Sequence, residues 1–132
     1  MAAVRILHLH SSFNLGGQES RTVRLMNHFG DQAEHTVLSA VSDAFGAADA
    51  IDKRVKVSLP KDAAPSLAGM PGMGRFRRLA SYMKKFHLVL SYNWGAMDAV
   101  LARLNVNALT RNFVGLLAQK RRLFALTGIV AA

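Results

Sequence analysis

Arg5-Ile-Leu-His-Leu-His-Ser-Ser-Phe-Asn-Leu-Gly-Gly-Gln-Glu-Ser20 is the stretch whose reading decides the fold. Ile6, Leu7 and Leu9 are too evenly apolar for a strand with one wet face. They predict a parallel strand covered on both sides. A short polar loop follows, and then Gly16 and Gly17 open a helix. Two adjacent glycines let the chain turn sharply and leave backbone N–H groups bare. The positive end of the helix dipole lies at the same point, which suits a phosphate or another anion. The competing reading is a plain strand-to-helix turn, which parallel α/β folds use throughout. Neither a G-x-G-x-x-G fingerprint nor a G-K-[ST] phosphate loop is present there.

Outward from this stretch, the pattern alternates between strand and helix. The helix from Glu19 to Phe29 should turn Val23, Met26 and Phe29 inward and end at Gly30. His35–Val41 reads as a second strand, Asp43–Asp52 as a short helical piece, and Val55–Leu59 as a more exposed third strand. Residues 60–74 hold three prolines and three glycines and read as a loop. Gly74–Phe86 is amphipathic. Phe76, Leu79, Ala80, Met83 and Phe86 share one side, while Arg75, Arg77, Arg78, Lys84 and Lys85 gather elsewhere. That basic face is either simply solvated or a contact for an anionic membrane surface. Leu88–Leu90 is a fourth buried strand, followed by Ser91-Tyr-Asn-Trp-Gly95. In parallel sheets ligands sit beyond the carboxyl ends of the strands. The Gly16 loop and the Trp94 loop are therefore expected on one rim. There Tyr92 and Trp94 could stack on a sugar and Asn93 could hydrogen-bond it, unless Trp94 only caps the core. The fold class predicted is α/β: a Rossmann-like, doubly wound, mainly parallel sheet with flanking helices.

The wording of two segments carries a resemblance. Phe13-Asn-Leu-Gly-Gly-Gln-Glu19 and Leu88-Val-Leu-Ser-Tyr-Asn-Trp-Gly-Ala-Met-Asp-Ala-Val-Leu-Ala102 resemble the first loop and fourth strand–helix of family 4 glycosyltransferases with the GT-B fold. The resemblance covers residues 4–103 and implies the N-terminal, acceptor-side half of such an enzyme. It implies retaining hexosyl transfer from a nucleotide sugar to a glycan or lipid-linked acceptor. The donor is a substrate, so no cofactor and no metal are implied. Gly16, Gly17 and Gln18 would face the donor phosphate and sugar. Asn14, Tyr92, Asn93 and Trp94 would face the acceptor.

The resemblance breaks after Arg103. No His follows His87 and no acidic residue follows Asp98. Asn112–Leu126 reads as a basic amphipathic helix and Gly128–Val130 as a short strand. Residues 1–103 are thus expected as a Rossmann-like domain and 104–132 as an atypical helical tail. With no donor-binding domain, disruption or truncation is expected, with no transfer activity alone. A bare interdomain face would invite homo-oligomers.

Bulk properties bound the alternatives. The chain has 132 residues, enough for one domain. It has no apolar run long enough to span a membrane. Its start does not read as a secretory signal. Without cysteine it has no disulfide, zinc-thiolate site or thiol nucleophile. These features fit a cytoplasmic protein, and the basic face of the Gly74–Phe86 helix would set it peripherally at the inner face of the membrane. The formal charge of +9 favours anionic partners. Nucleic acid is not expected, because no aromatic platform accompanies the cations. One alternative function is a non-catalytic nucleotide- or anion-binding module. The other is a metal-dependent hydrolase built on His8 and His10, which share a strand face. The remaining histidines look misplaced for that, His35 standing at the wrong end of its strand.

Overall fold

The computed structural model describes residues 3–61, 63–68, 72–92 and 129–131. Its centre is strand β1, Val4–His10. Helix α1 spans Gly17–Phe29 and strand β2 spans Ala33–Ser39. The short strand β3 is Lys56–Ser58, helix α2 is Met73–Met83, and strand β4 is Leu88–Ser91. A last strand, β5, covers Ile129–Ala131. The sheet runs β3-β2-β1-β4-β5. The first four strands are parallel, and β5 pairs antiparallel with β4. The expected α/β class with a mainly parallel sheet is what the chain adopts.

The alternation along β1 explains the two layers. Leu7 and Leu9 are fully buried and pack with Leu79 and Met83 of α2. Ile6 packs with Ala33 and Leu90, with Leu25 of α1 against them. Val23 and Met26 of α1 join Phe13, Val37 and Val55 in a second cluster. One helix therefore covers each face, which is why β1 reads as a continuous apolar run.

Several boundaries differ from the sequence reading. Helix α1 begins at Gly17 rather than Glu19. Phe29 is 38% exposed, not inward. Steps of three residues drift by about 60° around a helix, so Val23, Met26 and Phe29 cannot all stay on one stripe. Thr22 takes the inward place instead. Gly30 ends α1 with φ 57°, and its N–H reaches the Met26 carbonyl. The piece expected over Asp43–Asp52 is a 3-10 turn, Gly46–Ala50. The Asn27 side chain clamps it, donating to the Ala50 carbonyl at 3.1 Å and accepting from the Asp52 N–H at 2.9 Å. Helix α2 starts at Met73, inside the expected loop, and ends three residues before Phe86. Lys84 and Lys85 continue as a turn on the Ala80 and Tyr82 carbonyls. Asn93, Trp94 and the expected helix Asn112–Leu126 lie outside the described residues.

The packing of α2 on β1 is open to a direct test. Leu79 is fully buried between them. Leu79→Ala should destabilise the domain by about 2–5 kcal/mol. Lys56→Ala on the exposed edge strand should stay within about 0.5 kcal/mol. Urea unfolding followed by circular dichroism measures both.

Candidate functional site

Parallel pairing brings the loops after β1, β2 and β4 to one rim. The Tyr92 N–H donates to the Leu9 carbonyl at 2.9 Å. The Ala40 and Val41 N–H groups donate to His10 and Ser11 at 3.0 and 3.1 Å. Phe13 bridges the next loop, donating to Ala44 and accepting from Ala47, both at 2.9 Å. The diglycine bend and the segment entering the Trp94 turn thus stand at the same end of the sheet, although Trp94 itself is not described.

Glu19 sets its own carboxylate beside the first glycine of the bend, and the second, Gly17, faces open space. Gly16 is the N-cap of α1 and Glu19 is the third helical residue. A Cβ on Gly16 would stand 2.6 Å from Glu19 Oε2. The carboxylate therefore folds back over the first turn, where the helix dipole favours negative charge. Asn14, expected to face a ligand, uses its Oδ1 to accept the Gly46 N–H at 3.2 Å. Gln18 is exposed.

Behind the rim lies a buried polar cluster that the sequence reading did not assemble. His8, His10 and His35 are all essentially inaccessible. His35 lies within β2 opposite Ile6. That corrects its expected place at the wrong end of a strand: parallel register carries it beside His8. His8 Nε2 and His35 Nδ1 are 2.9 Å apart, and His8 Nδ1 is 3.3 Å from the Tyr92 hydroxyl. Tyr92 also stacks on His10, with ring centres 4.3 Å apart. The Thr22 hydroxyl donates to the Gln18 carbonyl at 3.0 Å and lies 3.2 Å from His10 Nε2. Its one proton is used on Gln18, so His10 Nε2–H must be the donor to Thr22. The bare His10 Nδ1 then faces Glu19 Oε1 at 3.4 Å, without hydrogen-bond geometry.

Burial holds these imidazoles neutral. Desolvation, with the neighbouring histidines, lowers the His8 pKa to about 3. Desolvation lowers His10 to about 4, while the Glu19 carboxylate pulls the other way. Burial lowers His35 as well. Among the described residues, no group of three His, Cys, Asp or Glu side chains could hold a metal ion. The histidines form a hydrogen-bonded core layer. A separate polar crevice of about 470 Å³ opens beyond β2, with Ser39, Ser42, Asp43 and Lys61 in its wall. Asp43 sits at φ 61° and pairs with Lys61 at 2.8 Å. The diglycine bend does not line this crevice.

The basic residues expected on α2 divide. Arg75 turns into the preceding loop, donating to the Ser66 carbonyl at 3.2 Å and to the Leu67 carbonyl. Arg77, Arg78, Lys84 and Lys85 are exposed. Among the described residues, no helix is long and apolar enough to cross a membrane.

No family model matches the chain, and no solved structure does. Over 35 residues the chain is 63% identical to ATP synthase subunit delta of Rhodospirillum centenum (strain ATCC 51521 / SW). The match takes in 26% of this chain and 19% of that protein, so the chain spans about a fifth of the length of its relative. This likeness overturns the sugar-transfer function expected from the sequence, because it points to a protein of another kind. At the helix start of this chain the Glu19 carboxylate lies beside Gly16, while Gly17 has open space around it.

Two outcomes follow from the cluster. An unfolded histidine titrates near 6.5, whereas His8 in the fold titrates at about 3. Stability is therefore full above about pH 6.5 and falls as pH drops toward 3, the unfolded chain taking up the protons. His8 alone should cost roughly 2 kcal/mol at pH 5. Urea unfolding at pH 7, 6 and 5 measures this, and equal stabilities would refute it. Separately, Glu19→Gln removes the charge that supports protonated His10. The His10 midpoint, read by NMR of its ring protons, should fall below about 4.

Proposed function

We propose that this chain works by protein–protein docking, as a component that joins ATP synthase through the 35 residues it shares with subunit delta. The 63% identity over that stretch carries the reading. At such identity most side chains of a contact surface are retained in kind. The shared stretch is shorter than the run from Val4 to Ser91 that builds the four parallel strands. No covalent step is required of the chain for that role. For the α/β part alone, we propose shared descent with the N-terminal domain of family 4 glycosyltransferases. The strand order and the two quoted segments support that, and it is a statement about fold and not about sugar transfer.

The test is a binding experiment. ATP synthase purified from Rhodospirillum centenum and stripped of subunit delta should sediment with the added chain. Excess subunit delta should displace it. Failure to sediment together, or binding that subunit delta leaves undisturbed, refutes the reading.

A further inference from the structure

Helix α2 carries Arg78, Ser81 and Tyr82 along one side, and Lys85 follows just past its end. Offsets of three, four and seven residues place the four on one face. Opposite them runs the segment that contains Ala64 and Pro65, and the shallow, open groove between has a volume of about 520 Å³. That is ample for a small ligand. Arg75 builds the far wall, since its bonds to the Ser66 and Leu67 carbonyls tie that segment to α2. Lys85 Nζ stands 5.2 Å from the centre of the Tyr82 ring, which keeps its charge over the groove.

The charge here is one-sided. Between Asp62 and Asp98 the sequence has no acidic residue, yet it holds Arg75, Arg77, Arg78, Lys84 and Lys85. The ion pairs among the described residues join His10–Glu19, Arg54–Asp52, Lys56–Glu34 and Lys61–Asp43, and none involves Arg78 or Lys85. Among the described residues, two cations and two hydroxyls line the groove, and none of its lining side chains is a carboxylate. A guanidinium fork and an ammonium along one groove suit phosphate oxygens, with hydroxyls completing the hydrogen bonds.

We propose that this groove binds a phosphate group, held by Arg78 and Lys85 with hydrogen bonds from Ser81 and Tyr82. The site is separate from the diglycine bend and independent of the docking function. The phosphate could belong to a dissolved small molecule or to a lipid headgroup, and the test has an arm for each. The full chain is titrated by NMR with inorganic phosphate and with glycerol 3-phosphate. It is also floated with phosphatidylcholine vesicles with and without phosphatidic acid. The Arg78→Gln/Lys85→Gln double variant should weaken binding about tenfold or more. Arg77→Gln/Lys84→Gln removes the same charge outside the groove and should change it less than about twofold. Amide dispersion checks that both variants fold. Saturable binding in solution identifies a dissolved phosphate compound, and binding only to phosphatidic acid vesicles identifies the headgroup; either supports the groove. Equal losses in both double variants, or no binding to any of the four probes, overturns it.

Discussion

Strand β1 is hydrogen-bonded along both edges and buried along both faces. Its ladder to β2 runs the whole length from Val4 to His10, and its ladder to β4 runs from Ile6 to Leu9. Leu7 and Leu9 seat α2 on one side, while Ile6, His8 and His10 meet the α1 side on the other. Each loop at the carboxyl end is referenced to this strand through a backbone bond on Leu9, His10 or Ser11. A shift of register by one residue would exchange Leu7 and Leu9 for the histidines and leave imidazoles against Leu79 and Met83. The polar layer therefore helps to select one register, since only one arrangement supplies hydrogen-bond partners to both sets.

That layer has a cost. Imidazoles in a water-free layer are held neutral against their ordinary tendency to protonate. Two buried nitrogens, His10 Nδ1 and His35 Nε2, have no hydrogen-bond partner. A neutral His35 that donates through Nδ1 to His8 leaves only a lone pair unused at Nε2. That is cheaper than burying an unpaired N–H. The chain is thus consistent with donors running from His35 to His8 and on to Tyr92. The network ties β2, β1 and the end of β4 together through side chains as well as backbone.

Much of this was legible in the sequence, because hydrophobic spacing is a local property. The apolar run at Ile6–Leu9, the alternation at Val55–Leu59 and the stripe from Phe76 to Met83 each reported their element correctly. The candidate site was not legible in the same way. Asn14 looked free to meet a ligand, but it is engaged by Gly46, thirty-two positions along the chain. His35 looked stranded until parallel register placed it beside His8. Gly16-Gly17 reads as an open cradle, and only the third dimension shows the Glu19 carboxylate beside Gly16, with Gly17 left open. The likeness to ATP synthase subunit delta rests on side-chain identity over 35 residues, which spacing arguments do not read.

The outermost strands bear on solubility. Open sheets recruit other chains through unpaired backbone at their margins. Here β5 lies antiparallel along β4 and covers the margin at Leu88–Leu90. The opposite margin is only Lys56–Ser58, three residues long and headed by a lysine. Among the described residues neither margin presents a long, flat, uncharged template. Loss of the three residues Ile129–Ala131 would reopen one such template along the apolar strand Leu88–Ser91.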